Sequence, residues 1–150
     1  MFRLVALVLV AVSLAGCQAV EQPAAQPTPR SPDARAARDC TRPAGVAPIG
    51  FSATKYPHIR RHYLRALRRG WPAVLTLHRA GADRRRDQLL EDVPTRDGYD
   101  RDEYPPAVGR RRTAADVAYV PSSENRSHGA VLGIKLRRFC EGTRFRYVFY

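Results

Sequence analysis

Several things are missing from this sequence, and each absence removes a class of protein. No two cysteines stand in Cys-x-x-Cys spacing, which argues against a thiolate metal site. No apolar run approaches the ~20 residues of a membrane-spanning helix. The longest, "LVALVLVAVSL" from Leu4 to Leu14, has eleven residues. No segment repeats, so a solenoid is excluded. Acid is scarce: 14 Asp and Glu stand against 26 Lys and Arg, giving a net charge of +12. Lysine is almost absent as well, since all but Lys55 and Lys135 of those cations are arginines.

What is present divides the 150 residues into three parts. Arg3 followed by the apolar run reads as an export signal. The run ends in "LAGC", which resembles a bacterial lipobox and predicts a signal over residues 1–16 with lipidation of Cys17. An ordinary secretory signal with an incidental cysteine is the alternative. Residues 17–45 are rich in Ala, Pro and Gln without apolar periodicity, and are expected to be a disordered linker. Extended at about 3.1 Å per residue, it would reach on the order of 80 Å. Residues 46–150 are the expected folded domain.

With Cys17 lipidated, Cys40 and Cys140 remain as an even pair outside the cytoplasm. A bridge between them closes a loop worth roughly 4 to 5 kcal/mol on chain-entropy grounds. Two free thiols are the alternative.

The charge lies in the domain, which carries 21 Lys and Arg against 11 Asp and Glu from residue 46 onward. Arginine clusters at 60–61, 68–69, 84–86, 110–112 and 137–138 offer planar forks suited to phosphate oxygens. Arg84, Arg85, Arg110, Arg111 and Arg112 are candidate DNA-binding residues; solvated helix faces and loops are the plainer reading.

Local patterns place the elements. "PHIRRHYLRALRRG" predicts a helix, with Pro57 in the first turn, Gly70 as the stop, and Ile59, Tyr63, Ala66 and Leu67 on one face. Residues 73–79 read as a strand, and "ADRRRDQLLEDV" as a short helix ending near Val93. "ADVAYVP" reads as a strand, and the next segment as a helix over 123–139, capped by Ser122 or Ser123. Asn125, Gly129, Leu132, Leu136 and Phe139 share one side of it. "TRFRYVFY" predicts a closing strand with Phe145, Tyr147 and Phe149 alternating.

One stretch runs against the overall charge. "GYDRDEYP" packs Asp100, Asp102 and Glu103 around Arg101. If this segment pairs with "ADVAYV", its carboxylates meet Asn125 at one end of the hairpin. Carboxylate and amide oxygens are hard ligands that favour Mg²⁺, Mn²⁺ or Ca²⁺ over zinc. A cation would make such a cluster tolerable in a basic groove and would assist phosphodiester cleavage.

"GYDRDEYP", then "ADVAYVPSSENRSHG", then "GTRFRYVF", together with "GADRRRDQLLEDVPT", resemble the NucA/NucB family of bacterial extracellular deoxyribonucleases. The likeness runs from about Phe51 to Phe149. It implies an α+β single domain with a ββα-metal core, made of the strand holding "DRDE", strand 115–120 and helix 123–139, plus an N-terminal helix and a C-terminal strand. It also implies a metal-dependent endonuclease that hydrolyses DNA without sequence specificity. Asp102 would be the base, Arg101 and Arg126 would grip phosphate, and Asn125 with Glu103 or Glu124 would hold one Mg²⁺ or Mn²⁺. Implied partners are DNA or RNA, a membrane met through the lipid anchor, and a cognate inhibitor protein; a monomer is expected. The competing reading is a non-catalytic basic lipoprotein that binds extracellular DNA or other envelope polyanions.

Plainer roles compete residue by residue. Asp100 could cap a turn, Glu124 could favour the helix dipole, and Trp71 belongs with the core. His58, His62 and His78 read as surface or packing residues, and His128 as a weak candidate base. The chain also departs from the family, with Leu75 and Gly109 where many members have cysteines and a basic 110–112 run where they are acidic and glycine-rich.

Overall fold

A computed structural model describes residues 40–150. The expected export signal, Cys17 and most of the expected linker lie outside the described residues.

The backbone runs β1 (Ala47–Phe51), α1 (Pro57–Arg68), β2 (Leu75–Thr76), α2 (Ala82–Leu90), β3 (Tyr99–Tyr104), a 3-10 turn (Ala107–Gly109), β4 (Asp116–Pro121), α3 (Ser122–Arg137) and β5 (Arg144–Phe149). Two sheets result. One orders β1-β5-β2, with β1 parallel and β2 antiparallel to β5. The other is the antiparallel pair β3-β4, in which Asp102 faces Ala118 and Asp100 faces Val120. The α+β class and the strand–strand–helix order β3, β4, α3 are as expected.

Chemistry explains the elements. Pro57 opens α1 where a missing N–H is harmless, and Gly70 ends it at φ 87, a conformation that suits a residue without a side chain. Ile59 and Ala66 of α1 are buried, while Tyr63 and Leu67 pack partly against the core. On β5, Phe145 and Tyr147 point inward at period two and meet Ile49 and Phe51 of β1. Leu132, Leu136 and Phe139 close the core from α3 and its end.

Four local expectations change. β1 had no counterpart in the sequence reading, because Pro48 and Gly50 interrupt the alternation of Ala47, Ile49 and Phe51. The strand over 73–79 shrinks to two residues, although Leu77 still donates to the Thr143 carbonyl at 2.9 Å. No serine side chain caps α3; the Ser122 hydroxyl bonds Asp100 instead. Finally, residues 40 and 41, assigned to the linker, are tied to the domain. Cys40 and Cys140 form a disulfide, and Thr41 bridges Phe139.

Leu75 and Gly109 turn out to be neighbours. A Cβ placed on Gly109 would lie 3.0 Å from Leu75 Cδ1 and 3.2 Å from Phe145 Cζ. Leu75 thus fills the space beside Gly109. No helix among the described residues is long and apolar enough to cross a membrane.

Candidate active site

The period of two along β3 sorts the acidic motif. Asp100, Asp102 and Tyr104 take one face, and Arg101 and Glu103 the other. A cleft of about 320 Å³ opens beside the first face, between α1, β3, α3 and the 105–108 loop. Asp100, Asp102, Asn125, Arg126 and His128 all line it, and Glu103 borders it from the other side of the strand. Asn125 and Arg126 reach it because α3 begins directly after β4, one residue beyond the strand end paired with Tyr99.

Asp102 is held by a residue that the sequence reading set aside. His62 on α1 is only 2% exposed, and its Nδ1 donates to Asp102 Oδ2 at 2.5 Å. On its other side, His62 Nε2 lies 3.4 Å from Asp116 Oδ1 without making a hydrogen bond. Asp116 accepts from Arg65 Nη2 at 2.6 Å and from Arg69 Nη1 at 3.0 Å. Burial pushes the Asp116 carboxyl up, but the Arg65 and Arg69 hydrogen bonds, with the charges of Arg65 and His62, hold it below the usual range. His62, Arg65 and Arg69 are spaced by three and four. No local signal sets them apart, because α1 also carries His58, Arg60, Arg61 and Arg68.

Asp100 accepts from Ser122 Oγ at 2.8 Å and from Arg126 Nε at 3.0 Å. The Arg126 hydrogen bond is the main reason its carboxyl sits below the usual range; burial opposes it, and bonds from Ser122 and Asn125 add to it. Arg126 is otherwise exposed. His128 is buried, with Nε2 unpartnered among the described residues and its ring 4.4 Å from that of Phe51. Burial pushes this imidazole below its ordinary value, against the opposing charges of Asp102 and Glu124.

Five expected site residues are placed differently. Glu103 is buried, with one oxygen bonded to Arg86 Nη1 at 3.0 Å and the other to Arg110 Nη2 at 2.5 Å. Two guanidinium groups therefore hold the oxygens that a metal would need. Glu124 reaches across to the start of α1, accepting from the His58 and Ile59 amides at 2.8 and 3.0 Å and from His58 Nδ1 at 2.7 Å. Those amides lack partners within their own helix, so Glu124 acts as a cap supplied by another element. Arg101 donates to the Leu90 and Val93 carbonyls at the end of α2, on the side away from Asp102. Arg85 is bound to the His78, Ala80 and Ala107 carbonyls. Arg110 is buried on Glu103 and the Pro105 carbonyl. Neither arginine is free to meet DNA. Arg84, Arg111 and Arg112 are exposed, and Arg111 donates to His78 Nε2 at 2.9 Å.

Among the described residues, no three His, Cys, Asp or Glu side chains gather as a metal cage. The cleft does offer hard oxygens. Asp100, Asp102 and Asn125 line the same cleft. This set fits a small hydrated cation that keeps most of its waters, as Mg²⁺ does, and does not fit zinc.

No protein-family model matches the chain. A DNA-entry nuclease of Bacillus subtilis (strain 168) is 37% identical over 97 residues. These make up 64% of this chain and 66% of that protein, so the match spans just under two thirds of the relative.

Proposed function

We propose that this chain, which resembles the NucA/NucB family and is 37% identical to a DNA-entry nuclease over just under two thirds of that protein, is an exported endonuclease hydrolysing DNA phosphodiester bonds without sequence specificity. The observation that carries the proposal is the shared cleft, where Asp102 from a strand and Asn125 from the first turn of a helix face one space.

Asp102 takes a proton from a water held in the cleft. Its Oδ1 is available for this, since only Oδ2 is bonded among the described residues. The water oxygen forms a bond to phosphorus as the bond to the 3′ oxygen breaks. That oxygen then takes a proton from solvent, leaving a 3′ hydroxyl and a 5′ phosphate. Arg126 is exposed and can turn from Asp100 to a phosphate oxygen, exchanging one charge-assisted bond for another. Asn125, with Asp100 beside it, would hold the divalent cation, which when bound supplies charge neutralisation at the phosphate oxygens. Exposed Arg84, Arg111 and Arg112 would contact phosphates outside the cleft. Such contacts carry no base information and make binding salt-sensitive.

Supercoiled plasmid tests this reading. The expected result is nicking and fragmentation with Mg²⁺ or Mn²⁺, and intact plasmid with a chelator. The strongly basic surface favours a second reading, a binding module, which predicts a gel shift of DNA left whole under both conditions. The relative's name connects it with DNA entry, so uptake is one role to test, by comparing DNA import with and without this chain. RNA as a second substrate follows from the same phosphate chemistry and is tested with a matched single strand. Mass spectrometry of the mature N-terminus distinguishes a lipid on Cys17 from free release.

A further inference from the structure

We propose that His62 is the positioning residue of this site: its imidazole fixes Asp102 Oδ2 so that Oδ1 is presented to the attacking water. The proposal rests on Asp102 acting as the base. A carboxylate oxygen only accepts, so the Nδ1 that faces it 2.5 Å away carries the hydrogen. With one oxygen pinned, the carboxylate cannot rotate, and the direction of the second is set. His62 cannot move either. It is buried, with Ile59 and Ala66 of the same helix buried beside it, and Asp116 stands against its far nitrogen.

A purely structural histidine would serve as a bolt between α1 and the hairpin. That bolt already exists without it. Arg65 and Arg69 fasten the same helix to Asp116, and Arg65 also bonds the Val117 carbonyl at 3.2 Å. Neither arginine touches Asp102. Among the described residues, His62 alone carries the fixed position of the helix to the cleft carboxylate, so α1 aligns the base as well as packing the core. The geometry to be protected is narrow, because a reacting group displaced by 1 Å can lose about 100-fold in rate.

The test is plasmid-nicking kinetics on full-chain variants with Mg²⁺. His62→Leu removes the donor, and kcat is expected to fall about 100-fold with KM unchanged. His62→Asn places an amide N–H near the Nδ1 position and should recover kcat to within about tenfold of wild type. His62→Gln, whose amide reaches toward Asp116 instead, should not. Asp102→Asn combined with His62→Leu should cut no more slowly than Asp102→Asn alone, since His62 acts through Asp102. Wild-type kcat in His62→Leu overturns the inference. So do equal rates in the Asn and Gln variants, or multiplied losses in the double variant. If His62→Leu fails to fold by circular dichroism, the Asn and Gln pair decides. Wild-type cutting by Asp102→Asn would instead remove Asp102 as the base, a failure of the proposed function that is read separately.

Discussion

The two sheets of this molecule are held by different physics. The β1-β5-β2 sheet is held by apolar burial: Phe145, Ile49 and Phe51 are essentially inaccessible and belong to one core cluster. The β3-β4 pair buries Tyr104 and Val120 in the same core but is otherwise fastened by charge. Glu103 sits between Arg86 and Arg110, Asp116 between Arg65 and Arg69, and Asp100 against Arg126. Packing without ionisable groups tolerates any ligand chemistry nearby but performs none. A hairpin with acids along one face can do chemistry, and needs arginines to keep its other acids out of the reaction. Several arginines near the cleft are thus occupied by protein partners, and Arg84, Arg111 and Arg112 remain exposed.

Substitutions should separate the two regions. Asp102→Asn is expected to lower plasmid cutting by about 1000-fold, as for loss of a general base, while thermal unfolding stays close to wild type. Phe145→Ala should do the reverse, destabilising by about 3 to 5 kcal/mol in denaturant titration. Any fraction still folded should cut normally. Replacing Cys40 and Cys140 with serine should cost about 2 to 4 kcal/mol, again with the rate per folded molecule unchanged.

Acid should act on the charged region first. Asp116 is held below the usual carboxylate range, so its contribution is present above its unfolded value of about 3.9 and is lost as pH falls through the lower folded value. Asp116→Asn should therefore lower stability at neutral pH and flatten the acid limb of the stability curve, as melting between pH 2 and 7 would show. The smallest effect is expected at the rim. Arg112→Ala should weaken DNA binding severalfold and reduce the salt slope by about one, with kcat unchanged.

The residues show why some of this was legible in the sequence. α1 could be placed because Pro57 and Gly70 bracket it, and β5 because its aromatic residues alternate; both signals are local. β1 pairs in parallel with a strand at the other end of the chain, and nothing near "APIGF" announces such a partner. The site divided in the same way. That Asp102 and Asn125 share a cleft could be read because hairpin and helix follow one another in sequence. His62 could not, because its partner is 40 residues away and a lone histidine on a helix carries no mark of what it faces. That Glu103 meets Arg86 and Arg110, and Glu124 the start of α1, could not be read for a related reason. A carboxylate looks like a ligand until the guanidinium or helix end that claims it is known.

The disulfide sets an orientation. Cys140 lies just beyond the last turn of α3, and Asn125 stands in the first turn, roughly 20 Å away along a helix rising about 1.5 Å per residue. Whatever precedes Cys40 therefore joins the fold at the end of α3 opposite the carboxylates. A lipid on Cys17 would moor the molecule by its stern, leaving the prow free to meet a passing strand.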